Sequence, residues 1–107
     1  MAAEAFIGLL LVDLHFPDNR SLKDKRSPLT SLRDVVQQRF KASYSEVSHQ
    51  DTWQRARVLI VLAASSASQA QERIDEIDRY LHAQEYEVAW VVRKSVDAVE
   101  VEWDTAF

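Results

Sequence analysis

The fold is decided by the segment AFIGLLLVDLH, residues 5–15. It is apolar almost throughout and turns to apolar–polar alternation only over Val12–His15. A short aliphatic run of this kind is typical of a strand buried in a sheet, and Pro17 and Asp18 then end it. The segment 57–64 has the same character. We therefore expect two buried strands at the centre of one sheet.

The first helix has two candidate starts. Ser27 as N-cap, with Pro28 at the first helical position, predicts a helix over Pro28–Phe40. A start at Ser21 places Leu22 in phase with the apolar stripe of the helix. It also requires Ser27, which precedes a proline, to be helical. Both starts share one apolar stripe, which consists of Leu29, Leu32, Val35, Val36 and Phe40.

Three further elements follow from residue spacing. Lys41–His49 alternates polar residues with small or apolar ones, which indicates an edge strand. Ser68 and Gln71 have capping-box spacing at the start of a second helix, and Tyr86–Arg93 is a fourth strand. The inner stripe of the second helix consists of Ala70, Ile74, Ile77 and Leu81.

The order strand, helix, strand, strand, helix, strand predicts an α+β ferredoxin-like fold, the split βαβ arrangement. That fold has a four-stranded antiparallel sheet in the order four, one, three, two, with both helices on one face. We also expect an extra C-terminal strand, because Val99, Val101 and Trp103 alternate with acidic residues. The length fits a single domain over residues 1–107, with a core at about 5–95 and an acidic extension at 97–107.

This topology brings together two polar segments, SLKDKR at 21–26 and HQDTWQR at 49–55. Strand one ends at the edge of the sheet where strand two turns into strand three, so both segments are expected at one end of the domain. The turn between strands two and three contains no glycine. We expect a longer loop there, shaped by hydrogen bonds from Asp51 to the backbone.

The central strands are apolar on both faces, whereas the two helices cover only one. Leu9 and Leu11 point away from Leu10, and Leu59 likewise points away from Ile60. A wide exposed apolar face is rare on a monomer. We therefore expect a homodimer, with the second face covered by a partner sheet, by the C-terminal strand or by both.

Composition excludes several classes of protein and site. The chain has no cysteine, so it has neither disulfides nor thiolate metal sites. Its longest apolar run is too short to cross a bilayer and its N-terminus lacks signal-peptide features, so we expect a cytoplasmic protein without a membrane partner. Gly8, the one glycine, lies in a strand, which excludes a phosphate loop, a dinucleotide fingerprint and a KH-type clamp.

Charge is distributed unevenly along the chain. The net charge is −4, yet residues 20–57 contain nine Lys or Arg and four acids, a local net of +5. A basic surface beside a helix N-terminus suits phosphate binding, although a solvated helix surface has the same composition. The candidate contacts for a ligand or RNA are Lys23, Lys25, Arg26, His49, Asp51, Trp53 and Arg55.

Several of these residues have two interpretations each. His49 and Asp51 are either a general base with its orienting carboxylate or two side chains that fix the loop. Trp53 either stacks on a base or partner, or seals the end of the core. Arg55 pairs with a nearby carboxylate, Asp51 or Asp24, or reaches a phosphate. A metal site built from His15, His49 and Asp51 matches no established ligand spacing, so we expect no metal and no cofactor.

The two polar segments also carry a family resemblance. SLKDKR at 21–26 and HQDTWQRA at 49–56, with a first strand ending in His15-Phe16-Pro17, resemble the YlxP-like family, a bacterial domain of unknown function, over about residues 5–95. The resemblance implies a ferredoxin-like fold, no established activity, and genes often near those for translation initiation and ribosome maturation. Pro28 and the acidic tail at 97–107 depart from the family pattern.

The leading hypothesis is a non-enzymatic binding module that contacts RNA or a ribosomal surface through Lys23, Lys25, Arg26 and Arg55. No catalytic residues are assigned and no sequence-specific reading of DNA is expected. Strand three has no exposed aromatic pair, which argues against the sheet platform of an RNA-recognition motif. The alternative is a protein-interaction adaptor that binds through its sheet edge or dimer surface. A small hydrolase with His49 as base is a third hypothesis.

Overall fold

Four strands and two helices alternate along the chain in the predicted order. The computed structural model describes residues 4–100, and no helix in this range is both long and apolar enough to cross a membrane. The elements are β1 (Phe6–His15), α1 (Leu22–Gln38), β2 (Ser43–Ser48), β3 (Arg55–Ala64), α2 (Ala67–His82) and β4 (Glu87–Asp97).

The strands form one antiparallel sheet in the order β2-β3-β1-β4. The two most apolar strands, β1 and β3, are central and pair along their whole length, from Phe6 opposite Ala64 to His15 opposite Arg55. β2 lies at an edge, as its polar alternation predicted. The ferredoxin-like fold expected from the element order is therefore confirmed.

The core lies between the sheet and the two helices, which cover the same face. Inward residues of β1 and β3 pack with α1 and α2 in one cluster, whose fully buried members include Leu10, Val12, Leu14, Leu32, Val36, Val58, Ile60, Ile74, Ile77 and Leu81. Gly8 permits a close approach here, because a Cβ at this position would lie 2.8 Å from Leu62 Cδ1 on β3 and 3.2 Å from Ile74 Cδ1 on α2. Absence of a side chain at Gly8 thus helps α2 to approach the sheet.

α1 begins at the earlier of its two candidate starts. The Ser21 hydroxyl accepts a hydrogen bond from the Asp24 backbone N–H at 3.2 Å, and the Asp24 carboxylate accepts one from the Arg20 N–H at 2.8 Å. Pro28 lies inside the helix, so the prediction that the helix starts there is wrong. The cap at Ser21 and the burial of Lys25 in the first turns outweigh the hydrogen bond that a proline cannot donate.

α2 is capped two residues earlier than its sequence predicted. Ser66, not Ser68, is the N-cap, and its hydroxyl accepts from the Gln69 N–H at 3.1 Å. The Gln69 side chain accepts in turn from the Ser65 N–H at 2.8 Å. Three serines around this position, Ser65, Ser66 and Ser68, left the sequence pattern ambiguous. The predicted inner stripe from Ala70 to Leu81 is buried as expected.

β4 continues past Arg93, where it was predicted to end, as far as Asp97. There the Asp97 carboxylate accepts hydrogen bonds from the Val99 and Glu100 N–H groups at 3.0 and 3.3 Å, which closes a turn over 98–100. Val99 therefore belongs to a turn and not to the extra strand predicted for it. The rest of that predicted strand, with Val101 and Trp103, lies outside the described residues.

The second face of the sheet, which we call the open sheet face, has no described helix over it. Its apolar members alternate with the core residues along three strands and are partly exposed. They are Ile7, Leu9, Leu11, Leu59, Val61, Trp90, Val92 and Val96.

Candidate functional site

The two polar segments meet at one end of the sheet, as the topology predicted. The Phe16 N–H donates to the Gln54 carbonyl at 2.8 Å, directly beyond the last β1–β3 pair. The Asn19 side chain donates to the Trp53 carbonyl at 3.1 Å, and the Gln54 side chain returns a bond to the Asn19 carbonyl at 3.2 Å. The segment after β1 and the β2–β3 loop are therefore a single hydrogen-bonded unit.

Lys25 on α1 is the centre of this unit. Its side chain is buried, with 4 % of the residue exposed. The ammonium donates to the carbonyl oxygens of His49, Thr52 and Arg55 at 2.8, 2.7 and 3.0 Å. It also lies 3.1 Å from a carboxylate oxygen of Glu46. Lys25 thus holds the loop from inside, and its charge is not directed at an external partner.

The β2–β3 loop is shaped by Lys25 and not by Asp51. Six residues, 49–54, separate the two strands, which confirms a loop longer than a two-residue turn. His49 has a left-handed backbone with φ of 64°, and its carbonyl accepts from both Lys25 and the Thr52 N–H. Asp51 is exposed. The predicted role of Asp51 is therefore wrong, because the loop turns its carbonyls inward onto a cation.

Asp13 is a functional candidate that sequence reasoning did not identify. It lies on the open sheet face, yet only 1 % of it is exposed. Its carboxylate lies 2.5 Å from Arg55 Nη2, 3.8 Å from Arg57 Nε and 3.9 Å from His49 Nε2. We call these four residues the Asp13 cluster. The available signal was an acid near the end of the most apolar strand, since a buried carboxylate needs cationic partners.

Trp90 completes the enclosure of Asp13. Arg57 on β3 and Trp90 on β4 are the cross-strand neighbours of Asp13 on either side. The Arg57 guanidinium lies 4.9 Å from the centre of the Trp90 ring, so the two side chains meet above the β1 carboxylate. This contact explains how a residue on an uncovered sheet face is shielded from water.

The structure does not form the His49–Asp51 pair that was considered as a general base with its orienting carboxylate. The His49 imidazole faces Asp13, not Asp51, at a distance longer than a hydrogen bond. His15 pairs instead with Glu87, its Nδ1 lying 3.1 Å from the carboxylate. Over residues 4–100 no three His, Cys, Asp or Glu side chains are grouped to hold a metal ion. Arg55 pairs with Asp13, neither Asp51 nor Asp24, and so neutralises a buried acid.

Four predicted contact residues outside the Asp13 cluster are exposed, namely Lys23, Arg26, Asp51 and Trp53. Lys23 and Arg26 are exposed on α1, and Trp53 is 50 % exposed at the tip of the loop. Trp53 therefore does not seal the core, although its area made that the expected role. The structure leaves these side chains accessible to a partner.

A groove runs between α1 and the edge strand β2, with a volume of about 350 Å³. We call it the α1–β2 groove. Its lining residues are Leu22, Lys25, Arg26, Leu29, Thr30, Arg33, Tyr44, Glu46 and Gln50. Arg26 and Arg33 are seven residues apart and so share one helix face. Because Glu46 is already paired with Lys25, the two arginines carry the unbalanced charge of this groove.

Tyr44 offers a further polar group in the groove. Its hydroxyl oxygen is buried and has no hydrogen-bond partner among residues 4–100. Burial, followed by the nearby negative charge of Glu46, raises the pKa of the Tyr44 hydroxyl above its usual value of 10. Tyr44 is therefore a neutral hydroxyl whose hydrogen-bond donor is unused among the described residues.

Comparison with known proteins identifies a family and gives no activity. The chain is 38 % identical over 71 residues to the "Uncharacterized protein YlxP" of Bacillus subtilis (strain 168), a match that covers 66 % of this chain and 77 % of that protein. Residues 7–94 match the model of a family described as "Protein of unknown function (DUF503)". The resemblance identified from the two polar segments is thereby confirmed, and the chain belongs to the DUF503 family.

Proposed function

We propose that this protein is a non-enzymatic binding module that holds RNA by its phosphates in the α1–β2 groove. The observation that carries the proposal is the internal pairing of Glu46 with Lys25 at 3.1 Å. The pair leaves Arg26 and Arg33 without a compensating acid inside the groove. Arg33 does contact Asp34, at 3.3 Å, but both side chains are about half exposed and such pairs are weak.

The contact surface differs from the one expected from sequence. Lys25 and Arg55 are used within the chain, so they position the loop and leave binding to other residues. Arg33 takes their place, and exposed Lys23 extends the cationic surface beyond the groove. A guanidinium pairs with phosphate through two parallel hydrogen bonds, which favours arginine for this contact.

The neutral polar groups of the groove fit the same ligand. The exposed Gln50 amide lines it and can donate to phosphate or ribose oxygens. The Tyr44 hydroxyl lies buried beneath it and becomes a donor to such a ligand only if the side chains over it shift. The groove volume lies within the range of about 300–1,000 Å³ typical of ligand sites. A role for RNA binding in translation or ribosome maturation would fit the gene neighbourhood that the family resemblance implies, and we place the protein in the cytoplasm as part of the proposal.

Salt dependence tests the proposal directly. The affinity of the purified full chain for a labelled single-stranded RNA of mixed sequence is measured by fluorescence anisotropy over a range of salt concentrations. Binding through phosphates gives a log–log slope of about −0.7 per phosphate neutralised. We expect Arg26→Glu and Arg33→Glu each to weaken binding at low salt and to flatten the slope by about 0.7.

Arg79→Glu is the matched control. It makes the same charge change at an exposed position of α2, outside the α1–β2 groove. A purely non-specific attraction would weaken equally in all three variants. Equal affinities of Arg26→Glu, Arg33→Glu and the unmodified protein would refute the groove as the RNA site.

The alternative is a protein-interaction adaptor that binds through the sheet edge. It is supported by the edge position of β2, whose outer side has no neighbouring strand among the described residues, and by exposed Val47 on that strand. Capture from cell lysate with and without nuclease separates the two. A partner retained after nuclease and in high salt favours the adaptor, whereas loss under both conditions favours RNA.

A further inference from the structure

We infer that the open sheet face packs against the same face of a second copy of this chain. The centre of this face is aliphatic, formed by Leu9 and Leu11 on β1 and by Leu59 and Val61 on β3. Val92 on β4 extends it and is 43 % exposed. Exposed aliphatic surface of this extent on a folded chain marks a contact with another apolar surface.

The polar residues of the open sheet face lie around this centre and not within it. Ser43 and Ser45 stand opposite Val61 and Leu59 on the edge strand β2. Lys94 lies on the other edge strand, β4, opposite Leu9. The Asp13 cluster lies at one end of the open sheet face. An apolar centre with a polar rim is the arrangement found in protein–protein interfaces.

The size of the face matches what a stable dimer requires. Three of the strands are ten or eleven residues long and the fourth has six. With about 3.3 Å per residue and about 4.8 Å between strands, the face measures roughly 600 Å². Two such faces bury roughly 1,200 Å² together, which exceeds the approximately 1,000 Å² expected of a specific interface.

The chemistry of the face selects a second copy over nucleic acid as its occupant. Its centre has no cation and no stacking ring, and its one aromatic residue, Trp90, is engaged with Arg57. A second copy supplies an aliphatic face of the same dimensions, and two sheets of this kind pack at a separation of about 10 Å. The contact is isologous, so it closes as a two-fold dimer.

Sedimentation equilibrium of the full chain over a range of concentrations tests the inference. We expect a mass approaching twice that of the chain. Val92→Glu places a charge beside the aliphatic centre of the interface, opposite Leu11, and is expected to raise the dimer dissociation constant at least tenfold. Leu22→Glu is the matched control, since Leu22 is 44 % exposed but lies on α1, away from the open sheet face. Its dimer is expected to be unchanged.

Protection of an introduced cysteine from maleimide gives a second, independent measurement. It does not require the fold to tolerate a new charge on the open sheet face. The chain has no cysteine, so Val92→Cys and Leu22→Cys each introduce a single thiol. We expect maleimide labelling of Val92→Cys to slow at least tenfold as protein concentration rises, while labelling of Leu22→Cys stays constant. A monomeric mass at all concentrations, or a Val92→Cys labelling rate independent of concentration, would overturn the inference. Neither readout involves RNA, so the inference stands or falls separately from the proposed function.

Discussion

The ammonium of Lys25 lies 2.7 Å from the carbonyl oxygen of Thr52, a residue 27 positions later in the chain. The same ammonium also binds the His49 and Arg55 carbonyls, so one cation satisfies three backbone acceptors of a single loop. A lysine has three donors and no acceptor, and here each donor has a carbonyl. The first turns of α1 and the β2–β3 loop are therefore coupled through one side chain.

Lys25→Met tests this coupling. Methionine keeps most of the side-chain volume but removes the charge, leaving three carbonyls and the Glu46 carboxylate without their partner. Removing one partner of a buried, hydrogen-bonded charge costs about 3–5 kcal/mol. We expect a loss of at least about 3 kcal/mol in the free energy of unfolding, measured by urea denaturation. Lys23→Met, two residues away and exposed, is the control and should change it by less than about 0.5 kcal/mol.

Lys25 also shows which features of the structure could be predicted from the sequence and which could not. Its spacing places it between Leu22 and Leu29, in phase with the buried stripe of α1, but a lysine in a basic segment is normally exposed. The strand order followed from periodicity and topology, because those depend on patterns over many residues. The role of Lys25 depends on three carbonyls from a distant loop, which no local pattern encodes. The same holds for Asp13, whose partners come from β3 and the loop.

The start of α1 gives the second prediction. Since Ser21 is the N-cap, Ser21→Ala removes the hydroxyl that accepts from the Asp24 N–H. Loss of such a cap costs about 1 kcal/mol. Ser27→Ala is the matched comparison, because Ser27 lies inside the helix and is exposed, so the substitution should be nearly neutral. The opposite ranking of the two variants in thermal denaturation would place the helix start at Ser27.

The third prediction concerns the Asp13 carboxylate. Asp13→Asn keeps the shape of the side chain but removes the charge that neutralises Arg55 and Arg57. Because the Asp13 side chain is almost fully buried and Arg55 is partly exposed, we expect an intermediate loss of about 2 kcal/mol in the free energy of unfolding. Asp51→Asn, at an exposed loop position, is the control and should stay within about 0.5 kcal/mol of the unmodified protein. Equal stabilities of the two variants would contradict a role for the Asp13 cluster in holding the sheet end.

The fourth prediction follows from two buried tyrosines. Burial raises the pKa of both the Tyr44 and the Tyr86 hydroxyls above 10, and the charge of Glu46 adds to the shift of Tyr44. In the unfolded chain both groups titrate near pH 10, so between that pH and the folded pKa the folded state binds more protons. The stabilisation is complete below about pH 10, and the free energy of unfolding falls as pH rises further.

The Tyr44→Phe variant measures how much of this pH dependence of the free energy of unfolding comes from Tyr44. A fully titrating tyrosine contributes a slope of at most about 1.4 kcal/mol per pH unit, and solvent access to these partly buried rings makes the observed value smaller. We expect urea denaturation between pH 9 and pH 11 to show a shallower decline in Tyr44→Phe than in the unmodified protein, with Tyr86→Phe behaving alike. An unchanged slope in both variants would mean that the two hydroxyls ionise as readily in the folded chain as in the unfolded chain.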